Sequence, residues 1–300
     1  MHTTTERMGR ALTLVAGGMV LASCNEGVLS PKGPIGQAEQ TILFNATAIM
    51  LAVIIPVIAL TLTFAWWFRA SNKRARYQPD WEYSGRIEMI VWSIPALVVL
   101  FLGGIAWISS HDLDPYKPVQ SQVSPVEVNV VSLDWKWLFI YPDKSIASIN
   151  ELTVPVGTPI HFHLTSGTVM NSFFVPQLGS QIYTMAGMTS ELNLLADTPG
   201  VYRGLSAQFS GDGFSDMHFN VKVVTASDFA AWLAKVRGSG EKLDDVAYQK
   251  LLLPGIEPNV RIYGTVDPGI FESILLQPAE GVSPYGAPGR PPHLLSKSES

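Results

Sequence analysis

Three hundred residues accommodate one large domain or two small ones. Only 15% are charged and 47% are hydrophobic, against about a quarter charged in a soluble domain, so a wholly water-soluble chain is excluded and part of it is assigned to lipid. The net charge of −5 offers no basic footprint for nucleic acid, and the lone cysteine, Cys24, excludes an internal disulfide and any paired-cysteine metal site.

In chain order, the first element is an export signal. Arg7 and Arg10 precede an apolar run from Ala11 to Ala22 that is too short to cross a bilayer. The run ends in Leu21, Ala22, Ser23 and Cys24, which resembles the lipobox of bacterial lipoproteins. That resemblance implies removal of residues 1–23 and acylation, for example with palmitate, of the new N-terminal Cys24. One acyl chain is a marginal anchor by itself.

Stronger anchors follow. No charge interrupts the chain between Glu39 and Arg69, and residues 42–68 exceed the ~20 apolar residues a transmembrane helix needs. A second uncharged run between Glu88 and Asp112 predicts a span over 88–110. Trp66, Trp67, Trp92 and Trp107 lie toward the span ends, where interfacial anchors belong, and Pro56 and Pro95 predict kinks. The intervening loop carries Arg69, Lys73, Arg74, Arg76 and Arg86 against Asp80 and Glu82. By the positive-inside rule it is cytoplasmic, which puts the N-terminus and everything beyond about residue 111 on the outer, periplasmic face. Residues 24–111 thus form an N-terminal segment and a two-span hairpin in the inner membrane.

From Pro125 to Val224 the pattern changes to short segments with period-two alternation. Residues 126–131 set Val126, Val128 and Val130 on one face, and 135–141, 160–165, 172–176, 191–195 and 219–224 are further strand candidates. Glycine and proline punctuate them. Closely spaced short strands predict an antiparallel β-sandwich or barrel over 112–225. A helical arm, 226–276, follows, its first helix capped by Ser227 or Asp228. The Pro/Gly/Ser-rich tail, 277–300, predicts disorder.

One loop carries a chemical signature without the chemistry. Ser206, Gln208, Ser210, Phe214 and Met217 recur at intervals of two, two, four and three residues, downstream of Asn171 in "NSFFVP". With two spans ahead of it and a helical arm behind, this layout resembles subunit II of the haem–copper terminal oxidases, from the first span to about Ile270. In the cytochrome c oxidases of that family the β-domain is a cupredoxin with a dinuclear copper centre held by two thiolates, two imidazoles, a thioether and a backbone carbonyl. The resemblance puts Asn171 and Phe214 at the histidine positions, Ser206 and Ser210 at the cysteines and Gln208 at the carbonyl donor. Only Met217 keeps its ligating side chain. Soft sulfur and imidazole donors suit copper; amide, hydroxyl and phenyl groups do not. No metal is expected there, and the spacing is expected to persist because it closes the barrel.

Residues 134–152 and the loop closely resemble the cytochrome o-type ubiquinol oxidase branch. The resemblance implies a non-catalytic subunit II that stabilises subunit I in a proton-pumping complex, with haems, copper and ubiquinol held by subunit I. It further implies small subunits III and IV as partners, and no cytochrome c. Haem o against haem a, and ubiquinol against menaquinol, stay open. So do two rival readings: a copper-bearing cytochrome c oxidase subunit II, and an assembly lipoprotein outside any oxidase. By the same resemblance, Glu88 marks the mouth of a proton path into subunit I. His161 and His163 share one strand face, a spacing open to zinc or copper but commoner as a polar strand face. No third ligand is near in sequence, although His218 approaches from another strand. Trp135 and Trp137 read as packing residues.

Overall fold

The computed structural model describes residues 27–277 apart from 77 and 258. The expected signal segment, Cys24 and the tail from 278 onward lie outside the described residues. The described residues divide into two compact units, 38–114 and the others.

Helices α1 (Pro34–Trp67) and α2 (Gly85–Asp112) are long and apolar enough to cross a membrane. Both begin before the uncharged runs do. Their apolar side chains are exposed all round, as in Ile55, Leu62, Val99 and Leu100, the distribution of a lipid-facing helix rather than an amphipathic one. Hydroxyls within them are satisfied locally: Thr61, Thr63 and Ser93 donate to the carbonyls of Val57, Ala59 and Met89 at 2.8, 2.6 and 2.6 Å, as a bilayer core demands. At the end of α1, Asn72 Nδ2 and the Arg69 guanidinium donate to the carbonyls of Trp67 and Trp66, supplying donors to the last turn.

The β-domain is a two-sheet sandwich. Its strands are β1 (Val126–Leu133), β2 (Lys136–Tyr141), β3 (Ile146–Ile149), β4 (Glu151–Pro155), β5 (Pro159–Ser166), β6 (Asn171–Phe174), β7 (Ile182–Thr184), β8 (Ser190–Leu195), β9 (Gly200–Ser206) and β10 (His218–Val224). One sheet is completed by β12 (Arg261–Tyr263) in the order β12-β3-β2-β1-β5-β8; the other runs β4-β10-β9-β6-β7. Most pairings are antiparallel, as the short strands predict. β1 with β5 and β4 with β10 are parallel, because the chain changes sheets between them. The first change takes one residue. Asn150, at φ 57°, separates β3 from β4, and asparagine tolerates this left-handed conformation. Its side-chain oxygen accepts from Trp137 N at 2.8 Å. Alternation alone does not reveal β3 and β4, since every residue of 146–149 and 151–154 is buried.

The inner core stacks aromatic rings between the sheets. Trp137, Phe139, Phe162, Phe173 and Phe219 are buried with centroids about 5–6 Å apart. Val128 and Val130 face this core and Val126 packs against it. Tyr141 ties the sheets together: its hydroxyl donates to Thr153 O (3.0 Å) and accepts from Thr153 N (2.9 Å), both on edge strand β4. Burial pushes its pKa well above the usual tyrosine value.

A second core lies on the outer face of the larger sheet. There Val131, Leu133, Leu138 and Ile149 meet Tyr248 and Leu251 of α4 (Asp245–Leu252) and Phe271 and Ile274 of α5 (Ile270–Leu276). α3 (Ala226–Arg237) is capped by Thr225, whose hydroxyl accepts from Asp228 N, in place of Ser227 or Asp228. Besides its helices the arm contributes β12 and the short pair β11 (Lys242–Leu243) and β13 (Thr265–Val266). Lys136, almost wholly buried, fastens it by donating to the carbonyls of Leu251 and Leu253 at 3.1 and 2.9 Å. Burial lowers the pKa of this ammonium, with the carboxylates of Glu257 and Asp134 opposing. Residues 27–37 are lashed to the sandwich as well: Lys32 N and Gly36 N donate to the carbonyls of Gln177 and Leu178, and Asp197 N donates to Lys32 O.

Candidate functional site

The loop from Ser206 to Met217 joins β9 to β10 and brings the six degenerate positions to one end of the sandwich. Ser206 N donates to Met217 O at 3.1 Å, which closes the loop, and Ala207 N donates to Ser172 O at 2.9 Å, which docks it on β6. The turn inside is stapled by Phe214 N to Gly211 O and Asp216 N to Gly213 O. These bonds depend on backbone and spacing, not on ligating side chains.

The side chains have turned to one another. Asn171, Ser206 and Met217 are buried. The Ser206 hydroxyl lies 3.1 Å from Asn171 Oδ1 and 3.2 Å from Gln208 O, and its one proton serves one of them at a time. Asn171 Nδ2 donates to Val169 O. Ser210 Oγ donates to the Met217 thioether at 3.7 Å, occupying the one surviving soft donor. Phe214 stacks edge-on against Phe209 at 5.6 Å. A dinuclear copper centre does not fit this set: both thiolate positions are hydroxyls, both imidazole positions lack a ring nitrogen, and a lone thioether is a weak ligand.

Trp135 locks the loop from outside. It sits at φ 65°, a strained conformation for so large a residue, in the connection between β1 and β2. Its indole Nε1 donates to Ser210 O at 3.1 Å. A Cβ on Gly213 would lie 2.3 Å from its ring, so only glycine permits the contact. Trp137 points the other way, into the aromatic core.

The remaining candidates are dispersed. Glu88 lies in the first turn of α2, in the exposed part of the membrane unit. His218 stands exposed on β10, in the smaller sheet, whereas His161 and His163 are on β5 in the larger one. The third group beside that pair is Glu127 of β1. Its Oε2 is 3.0 Å from His161 Nδ1 and 3.3 Å from His163 Nε2. Glu191 of β8 places Oε2 3.5 Å from His161 Nε2. Sequence proximity misses Glu127, 34 residues before His161; the parallel pairing that sets Glu127 opposite His161 is what joins them.

Family models match twice, as the periplasmic domain of cytochrome c oxidase subunit II over residues 143–224 and as the COX aromatic-rich motif over residues 237–281. The chain is 48% identical to ubiquinol oxidase subunit 2 of Acetobacter aceti, over 88% of this chain and 86% of that one. It is 47% identical to cytochrome bo(3) ubiquinol oxidase subunit 2 of Pseudomonas aeruginosa, covering 87% and 79%, and 46% identical to that of Pseudomonas putida, covering 92% and 87%. The chain belongs to the ubiquinol oxidase subunit 2 family. In this family member, then, a cupredoxin-like domain follows two apolar helices in sequence, and its β9–β10 loop is closed by backbone bonds. The aromatic-rich motif covers the arm helices α4 and α5, whose Tyr248 and Phe271 build the second core.

Proposed function

We propose that this chain is the non-catalytic subunit II of a membrane-anchored, proton-pumping ubiquinol oxidase, where it stabilises subunit I. The observation that carries this reading is the replaced donor set. A family member with hydroxyl, amide and phenyl groups at the copper positions has no port for electrons from a soluble cytochrome. Its complex draws them from a membrane-dissolved quinol instead. Haems, copper and the quinol then belong to subunit I, with subunits III and IV as further partners. The basic loop between the spans faces the cytoplasm, and the N-terminus and the sandwich lie on the periplasmic side, with Cys24 acylated.

Two measurements test this. The complex purified from native membranes through a tag on this chain is expected to contain a haem-bearing large subunit and to oxidise ubiquinol but not reduced cytochrome c. Rapid cytochrome c oxidation, or absence of a haem subunit, overturns the reading. Glu88, a carboxylate at the cytoplasmic end of a span, is proposed to feed protons toward subunit I. Glu88→Ala is expected to slow turnover of the assembled oxidase without blocking assembly; wild-type turnover removes that role.

A further inference from the structure

Three strands converge on a polar patch that the oxidase reading does not use. On β1, β5 and β8 the inward residues Val128, Val130, Ile160, Phe162, Leu164, Leu192 and Leu194 build the core. The alternate residues face outward. Farther along β1 that outer face is covered by the arm; at Glu127, His161, His163 and Glu191 it is only partly covered, with side chains 24–41% exposed.

We infer that Glu127, His161 and His163 form a Zn2+ site, with Glu191 as the group that orients His161. The atoms Glu127 Oε2, His161 Nδ1 and His163 Nε2 lie on one side of the patch, and the three side chains offer ligand atoms all within 4.8 Å of one another. A tetrahedral zinc ion with ligands at about 2.0–2.1 Å separates them by roughly 3.4 Å. The separations here are 3.0 Å from Glu127 Oε2 to His161 Nδ1 and 3.3 Å to His163 Nε2. The second carboxylate oxygen, Oε1, lies 3.4 Å from His161 Nδ1. The imidazole rings sit 4.4 Å apart and tilted by 56°, so they are not stacked face to face.

His161 links the three-group cluster to a fourth residue. Its Nε2 lies 3.5 Å from Glu191 Oε2. A metal-bound histidine whose other nitrogen donates to a carboxylate is the usual outer arrangement of zinc sites. Two imidazoles and one carboxylate suit zinc and exclude the hard cations, which take oxygen ligands. Three protein ligands leave one position for water. The ion would cross-link β1 to β5, and through Glu191 to edge strand β8.

The test uses the full-length chain in detergent, stripped with chelator and titrated with Zn2+ alone. One zinc ion per chain is expected, with a rise in Tm on loading. His163→Gln is expected to weaken zinc at least ~100-fold, and Glu191→Gln roughly 10–100-fold, while the metal-free Tm of both stays at the wild-type value because the side chains are partly exposed. Co2+ in place of Zn2+ is expected to show the intense visible absorption of four-coordinate cobalt in the wild type and not in the His161→Gln/His163→Gln variant. Substoichiometric zinc, full-affinity zinc in the His161→Gln/His163→Gln variant, or displacement by equimolar Mg2+ or Ca2+ overturns the inference.

Discussion

The loop at residues 206–217 and the outer face of β1, β5 and β8 are opposite cases. By resemblance the loop keeps the spacing of a metal site without the donors; the sheet face gathers candidate donors from three strands, of which only His161 and His163 are near in sequence. In the loop, backbone bonds such as Ser206 N to Met217 O hold the shape and do not depend on ligating side chains. On the sheet face the shape is the sheet itself, and any pair of strands in register brings outward residues within reach. Local sequence order therefore shows a spacing within one loop better than it reveals a cluster assembled across strands.

The largest effect comes from returning the lost donors. With Asn171→His, Ser206→Cys, Ser210→Cys and Phe214→His together, the frame that Trp135 and the turn bonds hold is expected to bind two copper ions per chain, against none in the parent. Copper analysis and the visible absorption of a thiolate-bridged pair are the readout. A folded variant that takes up no copper would mean that the loop has lost its geometry along with its ligands.

Next in size is the frame's own packing. Gly204 of β9 pairs with Phe219 of β10, at the foot of the loop. A Cβ on Gly204 would lie 2.1 Å from the Phe219 ring, which is stacked on Phe173 at 5.0 Å and has no room to retreat. Gly204→Ala is expected to cost ~3 kcal/mol, read by chemical denaturation, whereas Gly157→Ala, where nothing lies within 4 Å of the new Cβ but φ is 71°, should cost about 1 kcal/mol. Equal losses would show that Phe219 is not the limiting contact.

Much of this architecture is legible in the sequence. Uncharged runs mark α1 and α2, and alternation marks β1, β5, β8 and β10, because one face of each meets a core. What stayed hidden has physical causes. β3 and β4 are buried throughout, so no polar residue keeps time. The sheet change at Asn150 depends on one φ angle. β12 joins β3 from more than 100 residues away, and Glu127 meets His161 only through a parallel pairing.

Tyr141 calibrates what a fully used buried hydroxyl contributes. Tyr141→Phe removes both hydrogen bonds between its hydroxyl and the Thr153 backbone, at an expected cost of ~2 kcal/mol. The pKa values of Tyr141, Tyr202, Tyr248 and Tyr263 are all raised, by burial first. The folded state then holds more protons than the unfolded one above the ordinary tyrosine pKa, so stability is complete below pH ~10 and falls as pH rises beyond it. Tyr141→Phe should make that alkaline decline shallower; an unchanged slope between pH 10 and 11 would remove Tyr141 as a contributor.

The smallest expected effect is the most pointed for the loop. Ser206 donates a single hydrogen bond, shared between Asn171 Oδ1 and Gln208 O, so Ser206→Ala should cost ~1 kcal/mol, about half of Tyr141→Phe. Asn171→Ala should couple to it, because removing Oδ1 sends the remaining proton to Gln208 O and lowers what Ser206 still contributes. A double-mutant cycle on thermal unfolding measures the coupling, expected at ~0.5 kcal/mol or more for groups in contact. If the two losses simply add, the serine and asparagine at these copper positions do not hold each other, and the loop rests on its backbone bonds and on Trp135 alone.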